Sequence, residues 1–171
     1  MFLMMTLSAL ALHAEERLPV LKGQFLTGRE AVLPDAAAGR VALLALGFTY
    51  ESRYAVEDWI RHFRKDFGEN REVTFYEIPM IGGLARMGKW FIDSGMRKGT
   101  PKADQENVIT VYGAVDAWKE RVGFSAPNAA YLILIDKAGV IRWRHSGAFE
   151  DAPYQALVSA VNGLIGISGP R

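Results

Sequence analysis

The chain of 171 residues is 50% hydrophobic and 23% charged, enough apolar material for one domain with a sizeable core. Lys and Arg number 20 and Asp and Glu 19, a formal charge of +1, so no long-range basic field gathers nucleic acid and no run of like charge marks a binding tail. The absence of cysteine excludes disulfides, thiolate nucleophiles, thiolate metal sites and dithiol redox chemistry.

Residues 2–12 (FLMMTLSALAL) form an apolar run that would rise about 17 Å as a helix, short of a hydrocarbon core of about 30 Å. Its length and the small Ala14 behind it suit a secretory signal, and residues 1–14 are read as that segment, cleaved near Ala14. This reading gives an exported protein, periplasmic or membrane-associated. A basic n-region is missing, which leaves an uncleaved interfacial anchor or a buried N-terminal element as alternatives.

From Leu18 onward the chain reads as one domain over residues 18–168, without repeats or linkers. Residues 41–48 (VALLALGF) are a continuous apolar run, the pattern of a central strand buried on both faces. Behind it Val56, Trp59, Ile60, Phe63 and Phe67 recur at helical spacing, with Ser52 as the expected N-cap. A second buried strand over 73–78 ends at Pro79 and the Gly82-Gly83 break. Between 84 and 104, Leu84, Met87, Trp90 and Phe91 predict one amphipathic helix, and Gly95, Gly99 and Pro101 interrupt the stretch behind it. A short strand at 108–112, a helix at 116–122 and a hairpin of strands 131–135 and 140–145 come next. A closing helix carries Tyr154, Leu157, Val158, Val161 and Leu164 on one face. Phe48, Trp59, Phe63 and Trp143 are expected in the core.

Few residues suggest chemistry. His62 and His145 stand apart without ligand spacing, and neither a phosphate loop nor a dinucleotide fingerprint occurs, so no metal and no cofactor are expected. Ser52 lacks both a nucleophile elbow and a nearby base. Arg53 beside the free amides of a helix start is the one arrangement suited to a small anion. The segment 84–104 carries Arg86, Lys89, Arg97, Lys98 and Lys102 against Asp93 and Asp104. Met87, Trp90, Phe91 and Met96 add adaptable apolar surface beside that charge. Arg86, Lys89, Trp90, Phe91, Met96, Arg97 and Lys98 are therefore the candidate surface for a protein partner or for peripheral membrane association. The plainer alternative is a helix that packs its apolar stripe on the sheet.

The strand ending in Phe48, the loop to Arg53, the helix from Tyr54, Pro127 and the hairpin stretch LIDKAGVIRW at 134–143 together resemble the thioredoxin fold. The resemblance implies an α/β three-layer sandwich, a central mixed sheet flanked by helices, here with a helical insertion. Redox members open their first helix with C-x-x-C, where this chain has Ser52-Arg53-Tyr54-Ala55. Thr49, Ser52, Arg53 and Ala55 are then degenerate redox-loop positions, and Pro127 is the counterpart of the cis-proline that faces such a loop. Asn128, Ala129 and Ala130 intervene before Tyr131 and leave the isomer open.

Within that fold, Gly47-Phe48-Thr49 with Trp59, Ile78-Pro79, the run from Trp90-Phe91 through Gly95-Met96-Arg97 to Pro101, Val111-Tyr112, and Ile141-Arg142-Trp143 with Ser146-Gly147 resemble one family in particular. It is the family of the mitochondrial ATP synthase assembly factor and its bacterial relatives, matched over about residues 25–157. The likeness implies a non-catalytic assembly or chaperone role for a subunit of a membrane complex. Eukaryotic members work on the matrix side of mitochondria, whereas this N-terminus looks secretory. A cysteine-free enzyme or small-anion binder built on Ser52 and Arg53 is the alternative.

With no thiolate to attack a disulfide, reduction of insulin by dithiothreitol should run at its uncatalysed rate in the presence of the protein. A turbidity assay checks this, and an acceleration that survives repurification would contradict it.

Overall fold

All residues of the third strand, β3 (Val41–Gly47), are buried, and their alternation divides the interior in two. Ala42, Leu44 and Leu46 enter one cluster with Tyr76, Ile78, Trp118, Tyr131 and Ile133. Val41, Leu43 and Ala45 enter the other with Trp59, Ile60, Phe63, Leu157 and Val161. A strand with two apolar faces needs cover on both, and the neighbouring elements supply it.

The computed structural model describes residues 15–166. β1 (Leu21–Phe25) and β2 (Glu30–Leu33) form a hairpin ahead of β3. α1 (Ser52–Phe67) crosses over to β4 (Val73–Pro79), which pairs parallel with β3, the connection that a parallel pair requires. A 3-10 segment (Gly83–Gly88) leads to α2 (Lys89–Gly99), then to β5 (Ile109–Thr110) and α3 (Val115–Val122). β6 (Ala130–Ile135), β7 (Ile141–Gly147) and α4 (Asp151–Leu164) complete the chain. The central sheet has the order β4-β3-β6-β7, with β6 antiparallel to β3 and β7. A second sheet, β2-β1-β5, joins its edge through the parallel bridges Glu77 to Val108 and Met80 to Val111. α1 and α4 cover one face and Trp118 of α3 packs on the other, the α/β sandwich with a helical insertion that was expected.

The hairpin β1–β2 has no counterpart among the elements expected from the sequence. Leu21 and Phe25 are buried but the three residues between them are not, so the strand lacks the period of two that marks a half-buried strand. The insertion also differs from expectation. Instead of one helix through Leu84 and Phe91, a 3-10 segment ends at Gly88 and α2 begins at Lys89. Its aromatics do not form a buried stripe, for Trp90 and Phe91 are 72% and 75% exposed. Trp59 and Phe63 are core residues, 0% and 1% exposed. Phe48 and Trp143 are only partly buried against the two clusters, because Phe48 follows the last buried residue of β3 and Trp143 sits on the outer strand β7.

The chain enters the domain along the start of β7. Ile141 donates its amide to Glu16 at 2.8 Å and Leu18 donates to Gly139 at 2.9 Å. Arg142 pairs with Glu15 at 2.9 Å and Arg144 with Glu16 at 2.6 Å. The expected signal segment, 1–14, and the last two residues of the expected domain, 167–168, lie outside the described residues.

Phe63 packs against Phe67 and Phe75 with ring centroids 5.0 and 6.4 Å away. Phe63→Ala should cost about 3–5 kcal/mol and lower the melting temperature by roughly 6 °C or more. Calorimetry checks this, and a drop below about 2 °C would place the register of α1 elsewhere.

Candidate functional site

The loop after β3 is closed by two hydroxyls. Thr49 Oγ1 accepts the Ser52 amide at 3.1 Å, Ser52 Oγ accepts the Thr49 amide at 3.2 Å, and Ser52 Oγ donates to the Thr49 carbonyl at 2.8 Å. This is the reciprocal pattern of a capping box, with serine in the place usually held by glutamate. Ser52 is thus the first helical residue and not the cap, and the residue before it, Glu51, makes no side-chain cap; the Thr49 and Ser52 hydroxyls close the turn instead. Ser52 is 0% exposed and tucked beneath the end of β3. A Cβ on Gly47 would stand 2.7 Å from Ser52 Oγ, so only glycine allows this approach. With its donor and acceptor both committed and no base within reach, Ser52 is a structural hydroxyl. Ala55 packs against the core cluster under α1.

Thr49 Oγ1 also donates to the Pro127 carbonyl at 2.8 Å, so Pro127 does face the loop. Its peptide bond is trans, because the described residues hold a cis bond at Leu33-Pro34 alone. The isomer that the sequence left open is set by a local cause. Pro127 occupies the second position of a turn closed by the Ala129 amide on the Ala126 carbonyl at 3.3 Å, where trans proline supplies the required φ. Tyr131 steadies this turn by accepting the amides of Ser125 and Ala126, both at 2.9 Å, and donating to the Ala126 carbonyl at 3.0 Å. Phe48 stands edge-on to Tyr131 and Phe124 at 5.5 and 5.3 Å.

Arg53 does not point at free amides. Its guanidinium lies 4.0 Å from the centre of the Tyr50 ring and 4.5 Å from that of Tyr54, and donates to the Tyr54 hydroxyl at 2.6 Å. That hydrogen bond holds the Arg53 pKa above its ordinary value. Tyr50 and Tyr54 are 68% and 59% exposed. Arg53 and the two tyrosines thus form a ring, cation, ring platform. Beside it a cleft of about 380 Å³ runs between Phe48, Gly82, Gly83, Tyr112 and the start of α3 from Gly113 to Ala117. It opens at the C-terminal ends of β3 and β4, where open α/β sheets place their ligands.

The insertion is anchored by a polar network that the sequence pattern did not reveal. Asp93 is buried on the inner side of α2, where it accepts from Lys89 Nζ at 2.6 Å and from the Tyr112 hydroxyl at 2.6 Å. Lys89 also donates to Gln24 at 2.8 Å and lies 4.4 Å over the Tyr112 ring. Burial, reinforced by the Asp93 carboxylate, pushes the Tyr112 hydroxyl up. Lys89 lies over this network with its side chain still 43% exposed, and Met96 is half-buried. Trp90, Phe91, Arg97 and Lys98 are exposed, as is Met87. The Arg86 side chain lies outside the described ones. The signal that was available is the Lys89 to Asp93 spacing of four, which makes such pairs on helices.

A second cleft of about 360 Å³ lies between α1 and β4, lined by Glu57, Ile60, Arg61, Arg64, Lys65 and Glu77. Burial, and then Glu57, push the Glu77 carboxyl up to about 7 against the pull of Arg64. Among the described residues no group of three or more His, Asp and Glu is placed to hold a metal.

The sequence profile of the family described as ATP10 protein matches residues 14–164. No curated protein matches the chain. Among solved structures, it superposes on a protein assigned as the thiol:disulfide interchange protein DsbE of Chlorobium tepidum, with a TM-score of 0.60, 16% identity, and 91% of this chain and 100% of that one covered. The thioredoxin domain of a thiol-disulfide oxidoreductase from Bacteroides vulgatus gives 0.58 and 19%, with 89% and 100% covered. BsSco, a member of the Sco family of cytochrome c oxidase assembly proteins, gives 0.60 and 13%, with 90% and 96% covered. The fold is thioredoxin-like.

Because the raised pKa means that the folded chain holds the Glu77 proton more tightly than the unfolded chain does, stability falls as pH climbs from about 4.5 to about 7. Glu77→Gln should flatten that slope, raising the melting temperature by roughly 2–5 °C at pH 8 and changing it little near pH 5. Calorimetry across this range checks it, and equal effects at both ends would mean that the carboxyl titrates normally.

Proposed function

The chain belongs to the ATP10 protein family, and from that premise we propose that it is a non-catalytic assembly factor that binds a subunit of the ATP synthase. The observation that carries the reading is the closed loop at the start of α1. Where redox relatives keep sulfur, the Thr49 and Ser52 hydroxyls are spent on each other and on the Pro127 carbonyl, so the loop offers shape rather than a reactive group. Around it stand Tyr50, Arg53 and Tyr54, residue types that dominate protein interfaces because they bring large contact area and directed donors at small entropic cost. The similarity to BsSco, from a family of assembly proteins for cytochrome c oxidase, supports the view that this fold can serve assembly.

On the same proposal the apolar run at 2–12 sends the domain out of the cytoplasm or holds it at the membrane, next to the membrane-embedded part of its client. The platform of Tyr50, Arg53 and Tyr54, continued by the cleft at Phe48, is the surface that receives the client.

Purification of the tagged full chain from native membranes in mild detergent should recover ATP synthase subunits. Tyr50→Ala combined with Tyr54→Ala should reduce that recovery about tenfold, the effect of losing two interface aromatics of at least modest weight. Both rings are largely exposed, so the melting temperature should hardly move. Absence of the subunits, or full recovery with the double variant, would contradict the proposal.

A further inference from the structure

The outward face of α2 is set apart by what it carries and by what holds it there. At 100° per residue, positions seven apart on a helix return to within about 20° of each other. Arg97 therefore follows Trp90 along one line and Lys98 follows Phe91 along the next. All four side chains are exposed, and Met87 just ahead of the helix is 86% exposed. Asp93 is the one acidic residue of α2; it flanks this face, three residues from Trp90 and four from Arg97, but its carboxylate is buried and bonded to Lys89 and Tyr112. The face that meets solvent thus combines aromatics and cations, and the one acid at its edge is already engaged by Lys89 and Tyr112. The buried network fixes its direction, because turning Trp90 and Phe91 inward would expose Asp93 and break its bonds to Lys89 and Tyr112.

We propose that this face docks the protein on an anionic lipid surface. The two aromatics lie about 10 Å along the helix from the two cations. Aromatic side chains favour the boundary between headgroups and acyl chains, and interfacial helices reach about 5–10 Å below the headgroups. A helix tilted with its N-terminal end down would seat Trp90, Phe91 and Met87 in that boundary while Arg97 and Lys98 stay level with the lipid phosphates. At 11 residues α2 is far too short to span a bilayer, and no helix among the described residues is long and apolar enough to cross one. Charge selects the occupant. A basic face whose one flanking acid is buried and already paired is complementary to phosphate headgroups, each of which can meet Arg97 or Lys98 without the fixed partner geometry that a protein would need. This surface is distinct from the platform of Tyr50, Arg53 and Tyr54, and the docking stands whether or not that platform binds an ATP synthase subunit.

The lack of cysteine allows a local test on the full chain. Ser94 lies between Trp90 and Phe91 around the helix, so Ser94→Cys labelled with an environment-sensitive fluorophore reports on this face alone, and Ala156→Cys on the exposed side of α4 is the control. With vesicles containing about a third phosphatidylglycerol in phosphatidylcholine, the label at 94 should shift to the blue and brighten, and the label at 156 should not. Arg97→Glu with Lys98→Glu should weaken this response about tenfold or more, since each reversed charge near an anionic surface removes a several-fold factor. Vesicles of phosphatidylcholine alone should give a much weaker response. A label at 94 that stays in water while the protein sediments with vesicles would overturn the proposal by placing the contact elsewhere. So would a response independent of lipid charge, or one seen only with a purified protein client. Loss of client recovery from membranes, with vesicle binding intact, would count against the assembly role and leave the lipid site standing.

Discussion

The exit of the chain from β3 governs both the fold and the site. β3 is buried along its whole length and ends in Gly47, and Ser52 comes so close beneath that residue that any side chain there would collide with its hydroxyl. Glycine at this point lets α1 start immediately under the strand it has just left, so that Val56, Trp59, Ile60 and Phe63 meet Val41, Leu43 and Ala45. A wider turn would carry the helix away from the face it must cover. The buried polar groups produced by so tight a turn need partners, and Thr49 and Ser52 supply them to each other. The hydroxyls at the centre of the candidate site are thus the condition on which α1 packs.

That arrangement separates the reactive geometry of the fold from its shape. A thiol chemistry needs an atom that a partner's sulfur can reach in line, whereas the residue at the helix start here is fully enclosed. The departure from redox relatives is therefore more than the exchange of one atom for another. The loop has been repacked around a hydroxyl pair, and the Pro127 carbonyl, held by Thr49, ties the turn before β6 to the same centre. What such a centre gives is a rigid base for the residues that project from it.

Most of the architecture was legible in the sequence, and the exceptions share causes. β3, α1, β4, the β6–β7 hairpin and α4 carry unbroken apolar runs or clean helical spacing, because each packs against an extended surface on at least one side. β1 escaped notice because only its two ends are buried. The direction of α2 escaped for a different reason. Apolar periodicity reports that a helix has an apolar side and says nothing of where that side points, and here the buried side is the polar one, built on Asp93 and Lys89. The site residues followed the same rule. Ser52 and Pro127 were found as positions, since strand and helix placed them, but their roles depended on hydrogen bonds to Thr49 and on a turn at Ala126 to Ala129, which spacing alone does not encode.

The two projecting surfaces differ in chemistry, and the cleft lies between the elements that carry them. Phe48 borders the cleft on the side of the Tyr50 loop, and Gly83 and Tyr112 border it on the side of α2, whose Asp93 is bonded to Tyr112. Tyr50, Arg53 and Tyr54 pair one cation with two hydroxylated rings, and Glu51 and Glu57 lie nearby in the chain, so that side tolerates a mixed-charge protein surface and repels a lipid phosphate. Beside Trp90, Phe91, Arg97 and Lys98 the one acid, Asp93, is buried and bonded to Lys89 and Tyr112, so the other side suits phosphate. The Thr49 and Ser52 centre holds the first surface and the Asp93 network the second, each through buried hydrogen bonds that a change of direction would break.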